Sequence, residues 1–177
     1  MTAAMATSTQ LVLEQLEATP DILSAMVRTL RDAEAHWKPA PNRFSIAEVM
    51  AHLCDVETQV FRVRLERMLN EDTPQLAIYD QEGIAAAGAY AGRDLHESLK
   101  DFRKQRADTL AAVKGLPAEI GSRTGIHAEL GSVTIVQLMN EWAFHDLGHI
   151  RQIAELLRAF RYYPHLGAFQ QYYSVHP

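Results

Sequence analysis

An all-α fold, a four-helix bundle with a long crossover connection, is what this 177-residue sequence predicts. Three observations predict it. Four long segments repeat apolar residues every three to four positions. None alternates apolar and polar residues over the length of a strand. Three of the four open on Ser, Asp or Thr with Glu or Gln three positions later, the pattern by which a side chain caps a helix start.

The first segment covers about residues 8 to 34 and offers Leu11, Leu16, Ile22, Leu23, Met26 and Leu30 for burial. Thr19-Pro20 interrupts it, and two readings stay open: a second helix starting at the proline, or one continuous bent helix. WKPAPNRF then predicts a loop. The second helix starts at Ser45, with Glu48 completing the box, and runs to about Asn70. Its stripe is Ile46, Val49, Leu53, Val56, Val60 and Val63, with His52 at the margin.

A connection rich in alanine and glycine spans about 71 to 93, a length that suggests a crossover or a lid over a site. Asp94 and Glu97 begin the third helix, which Gly115 and Pro117 end. Leu95, Leu99, Phe102, Leu110 and Val113 form its stripe, with Arg106 in the middle. After a loop over 115 to 133, Thr134 and Gln137 start the fourth helix, which reaches about Arg158. The tail YYPHLGAFQQYYSVHP is expected to pack back on the bundle. The whole, 1–177, reads as one domain.

Composition narrows the partners. A formal net charge of −5 without a Lys/Arg run gives no footprint for nucleic acid. No apolar run reaches the ~18 residues that cross a bilayer, and MTAAMATSTQ lacks the pattern of a secretory signal, so a cytoplasmic protein is expected. Cys54 is the single cysteine, which excludes an internal disulfide and reads as a small buried filler.

The chemistry concentrates in EWAFHDLGHIRQI, residues 141 to 153. His145 and His149 lie one turn apart, so both rings can reach one metal ion at about 2.0–2.1 Å. HDLGH differs from the HExxH protease pattern by an aspartate in place of the catalytic glutamate. The Glu-x-x-His of carboxylate-bridged di-metal bundles is absent. A mononuclear site needs a third ligand, for which His52 is the best placed. His36, His96, His127, His165 and His176 fall near helix ends, in loops or in the tail, and read as solvated or capping histidines.

FSIAEVMAHLCDVE (44 to 57) and EWAFHDLGHIRQI resemble the two signature helices of the DinB/YfiT-like superfamily, and the resemblance covers about residues 10 to 160. It implies a divalent metal, zinc or nickel, held by His52, His145 and His149. It also implies a small-molecule substrate and, as the first reading, transfer involving a low-molecular-weight bacterial thiol activated at the metal. Hydrolysis by water activated there is a second reading, and metal binding without turnover, as in a stress-response protein, a third. A homodimer is expected by analogy. Glu141, one turn before His145, is the expected carboxylate orienting an imidazole. Arg106 reads either as an anchor for an anionic substrate group or as half of a structural ion pair.

Overall fold

The computed structural model describes residues 3–177, with side chains from residue 9 onward except that of Ala118; residues 1 and 2 of the expected domain lie outside it. Helix α1 (Ala3–Val27) resolves the alternative at Thr19-Pro20: one helix continues through the proline. Thr19 is not a cap, since its hydroxyl donates to the Gln15 carbonyl at 2.9 Å. Pro20 has no N–H, so the Leu16 carbonyl loses its partner from the next turn. The guanidinium of Arg106 donates to that carbonyl instead, at 2.9 Å. A short turn, α2 (Asp32–Ala35), follows.

The second bundle helix is three pieces in one axis: α3 (Ile46–Val56), a π-helical turn (Glu57–Phe61) and α4 (Arg62–Asn70). Ser45 caps it as expected, accepting from the Glu48 N–H at 3.2 Å while Glu48 accepts from the Ser45 N–H at 2.7 Å. A π turn adds a residue and shifts the phase of the helix. Past Val60, the buried face therefore passes to Phe61, Arg64, Leu65 and Met68, and Val63, expected in the stripe, is 43% exposed.

The 71–93 connection holds β1 (Gln75–Leu76) and a short helix, α5 (Gln81–Ala86). The Asp94 side chain then caps α6 (Leu95–Val113), and a glycine at φ 95°, Gly115, follows its end. The expected loop over 115 to 133 contains a hairpin: β2 (Thr124–His127) pairs antiparallel with β3 (Gly131–Thr134) and parallel with β1. The absence of strands is thus corrected to a small three-stranded sheet. Its strands are four residues or fewer, too short for alternation to register in the sequence. Thr134 and Gln137 form the capping box of α7 (Ile135–Leu157).

Among the described residues, α1, α3–α4, α6 and α7 form the four-helix bundle: α1 packs on α6 and α7, and α3 on α6 and α7. The apolar core is in two clusters. One gathers Leu16, Val60, Phe61, Leu65, Leu110, Leu138 and Trp142; the other gathers Leu23, Met50, Leu53, Leu99, Phe102, Ile153 and Leu156. Between them each bundle helix contributes polar residues: Thr19, His52 and Glu57, Arg106, then His145, Asp146 and His149. Leu11 and Ile22, expected in the core, face outward at 60% and 36% exposure.

The tail returns to the bundle mainly through polar contacts. Arg43 donates to the Pro177 carbonyl at 2.8 Å and the His176 N–H to Glu155 at 2.8 Å, while Tyr162, Phe169, Tyr172 and Tyr173 stay exposed. No helix is long and apolar enough to cross a membrane among the described residues.

Candidate metal centre

In the polar layer α3 contributes His52, fully buried rather than marginal, and α7 contributes His145 and His149 one turn apart. The Nε2 atoms of His52 and His145 are 3.4 Å apart, and those of His145 and His149 are 3.2 Å apart. One ring nitrogen from each residue lies within 4.8 Å of the other two. Tetrahedral coordination at about 2.0–2.1 Å places neighbouring ligand atoms roughly 3.3–3.4 Å apart, so the spacing fits one small divalent ion.

Hydrogen bonds to the outer ring nitrogens set which atom faces inward. His149 Nδ1 lies 2.8 Å from Gln152 Oε1, an acceptor only, so Nδ1 carries the proton and Nε2 presents its lone pair. His52 Nδ1 lies 3.4 Å from the Tyr90 hydroxyl, which is 2.7 Å from that of Tyr79. His145 Nδ1 is buried without a partner among the described residues. Three imidazole nitrogens facing one another can share a single proton at best, which leaves a lone pair unsatisfied. A cation satisfies all three, and that is the sense in which the donor set fits a metal.

Burial pushes the pKa of His52 and of His145 down to about 3, with neighbouring histidines adding to the effect, and lowers that of His149. The rings are therefore neutral, as ligation requires. For His52 and His145 the unfolded chain binds protons near 6.5, whereas the folded chain does so only near 3. Metal-free protein should thus lose stability as pH falls from about 6.5 towards 3, by at most about 1.4 kcal/mol per pH unit for each histidine. Urea midpoints of chelator-treated protein at pH 7.5 and 5 test this. The lower midpoint belongs at pH 5, and equal midpoints contradict neutral burial.

Behind the histidines lies a charge network. Arg106, 1% exposed, uses all five N–H groups: Nε and Nη2 donate to Glu57 at 3.1 and 2.9 Å, Nη1 and Nη2 to Asp146 at 2.6 and 3.1 Å, and Nη1 to the Leu16 carbonyl. Trp142 Nε1 donates to Glu57 at 3.0 Å. This corrects the substrate-anchor reading of Arg106, which has no donor left for a ligand. It also accounts for the aspartate in HDLGH: Asp146 faces Arg106 and not the histidine cluster, so it fixes the rotation of α7. Phe61 stacks on Trp142 with ring centroids 4.8 Å apart, and its ring meets His145 at 5.3 Å.

Glu141 does not orient an imidazole. It is exposed, makes no hydrogen bond to a histidine among the described residues, and lines a pocket of ≈ 290 Å³ beside His145 together with Arg64, Tyr79, His127 and Glu129. The polar groups beside the rings, Tyr90 and Gln152, and with them Tyr79, were not among the residues expected from the sequence. Gln152 lies three residues after His149 on the same helical face, a spacing that could have found it. The two tyrosines lie in a segment without periodicity, and only their presence among alanines and glycines marks them. Of the histidines outside the cluster, His36 lies 3.1 Å from Asp32 and His176 3.1 Å from the Ser174 hydroxyl, whereas His127, expected to be solvated or capping, lines the pocket beside His145. Cys54 is buried, donates to the Ser98 carbonyl at 3.0 Å, and has its pKa raised to about 12 by burial, so it is no nucleophile.

Comparison with known proteins gives the same outline. Residues 15–153 match the family model of the DinB superfamily. A Bacillus pumilus protein named "putative metal-dependent hydrolase" is 22% identical over 147 residues, covering 82% of this chain and 83% of its own. The fold is similar to that of YfiT from Bacillus subtilis, described as "a probable metal-dependent hydrolase with an unusual four-helix bundle topology". That likeness has a TM-score of 0.78 at 21% identity and covers 85% of this chain and 86% of YfiT.

Proposed function

This chain belongs to the DinB superfamily, and from that premise we propose that it is a metal-dependent hydrolase of small molecules, with His52, His145 and His149 holding one zinc or nickel ion. The convergence of three neutral imidazole nitrogens carries the reading. The names of the relatives support hydrolysis over the other chemistries that three histidines allow. When bound, such an ion supplies Lewis-acid chemistry: it acidifies water and polarises a carbonyl.

The chain's own residues supply the rest. Gln152 holds the His149 ring in the tautomer that points Nε2 inward. With His52 in the same tautomer, its Nδ1–H is directed at the Tyr90 oxygen, the Tyr90 O–H donates to the Tyr79 oxygen, and the Tyr79 O–H remains to donate elsewhere. Burial raises the pKa of both phenols, so they stay protonated at neutral pH. Tyr79 lines the pocket that His145 also lines, where its O–H serves as a donor to the oxygen on which charge develops during acyl transfer. Phe61, Val56 and Val60 form an apolar wall of that pocket and limit water on one side.

The test is turnover of simple esters and amides by chelator-stripped protein reloaded with zinc or nickel. Hydrolysis is expected only after reloading, and Tyr79→Phe should lower kcat by about 10²-fold with metal content unchanged. A Tyr79→Phe variant with unaltered kcat removes the tyrosine from the mechanism. Turnover that appears only with an added low-molecular-weight thiol contradicts hydrolysis and establishes thiol transfer in its place.

A further inference from the structure

Among the described residues two arginines are buried, and one of them has no anion. Arg106 is held by two carboxylates, whereas Arg64 in α4, 9% exposed, forms no ion pair among the described residues. Its two contacts both use Nη2: a hydrogen bond to the Ala77 carbonyl at 2.9 Å and His127 Nε2 at 3.3 Å. The Nε and Nη1 groups have no acceptor among the described residues. Burial opposes the charge of this guanidinium, and the more distant Glu141 offsets only part of that effect.

Position gives the unpaired arginine a use. Arg64 lines the ≈ 290 Å³ pocket that reaches His145, and also an adjoining one of ≈ 380 Å³. The sheet helps to build both: β2 brings His127 against the guanidinium, and the segment after β1 brings the Ala77 carbonyl. A planar guanidinium with donors to spare, on a residue that lines a cavity, suits a planar, bidentate acceptor. Glu129 and Glu141 line the same pocket, so a group with two negative charges meets repulsion that a single carboxylate meets less.

We propose that Arg64 anchors the substrate through a carboxylate, so that the molecule cleaved at the histidines is a small ester or amide bearing a carboxylate. The assignment deepens the hydrolase reading and rests on it. In the reaction, water adds across the acyl bond: the acyl carbon gains the hydroxyl, and the departing alcohol or amine leaves with the proton. The products are therefore a new carboxylic acid and a free alcohol or amine, one of the two carrying the carboxylate held by Arg64.

N-acetylglycine and its uncharged counterpart N-acetylglycinamide are the probes, titrated by ligand-observed NMR into full-length wild type, Arg64→Lys and Arg64→Gln, each with and without zinc. Wild type should prefer the acid by about tenfold or more, and Arg64→Gln should lose the preference while taking up metal as before. Equal binding of acid and amide by wild type overturns the assignment, as does a preference that survives in Arg64→Gln. Inorganic phosphate binding more tightly than the acid overturns the choice of carboxylate. Should Arg64→Gln fail to fold, the Arg64 Nε resonance of wild type decides: a shift with the acid and none with the amide supports the anchor, and no shift overturns it. The acid preference is read on zinc-free protein as well, so a failure of metal binding is seen separately from a failure of Arg64.

Discussion

Arg106→Leu should destabilise the protein by about 3–5 kcal/mol, the largest effect expected of any single substitution here. The reason is what stays behind. Glu57 and Asp146 are each 1% exposed and face one guanidinium. Removing it leaves two carboxylates buried side by side without a cation, a free Leu16 carbonyl next to Pro20, and a gap where the guanidinium packed over Phe102 at 4.8 Å. The same logic predicts a rescue. Neutralising the acids as well, in Glu57→Gln with Asp146→Asn on the Arg106→Leu background, should recover a substantial part of the loss, because amides need no counter-charge. Urea unfolding of the single and triple variants measures both. A single variant within about 1 kcal/mol of wild type contradicts a committed structural network.

The second large effect concerns the histidines. His52→Ala or His145→Ala should weaken zinc binding by more than the 10–100-fold typical of removing an outer hydrogen-bond partner. Gln152→Leu, which leaves all three rings in place and removes only the acceptor at His149 Nδ1, should fall within that range. Stability follows from linkage: zinc at about 100 times its Kd should raise the unfolding free energy of wild type by about 2.7 kcal/mol. The increment should be absent from the alanine variants at the same zinc concentration and reduced in Gln152→Leu. Thermal melts with and without zinc measure it. An equal increment in wild type and His52→Ala would show that the ion binds elsewhere.

Both effects arise in the polar layer, and the layer was only half legible in the sequence. The helix starts were clear because caps are local: Ser45 with Glu48 and Thr134 with Gln137 act within one turn and need no tertiary context. His145 and His149 were legible through helical spacing, and His52 through resemblance to a family signature. What escaped depends on departures from regular geometry. The π turn at Glu57–Phe61 cannot be seen with a fixed 3.6-residue period, so Val63 was placed inward and Arg64 overlooked. Tyr90 reaches His52 across 38 residues from a segment with no periodicity at all. The role of Arg106 was open because a buried arginine on an apolar stripe suits a ligand or a carboxylate equally, until Glu57 and Asp146 are seen to occupy it. The strands of the small sheet were too short to alternate, yet β2 places His127 against Arg64 and so shapes the pocket.

If residues from two helices share one ion, metal content shows it. Untagged wild type and His52→Ala, purified in parallel and supplied with zinc and nickel, are compared by mass spectrometry. Close to one ion per chain is expected in wild type and little in the variant. Equal content in the two proteins, or none in wild type after supplementation, would contradict it and leave the three histidines as packing in the polar layer.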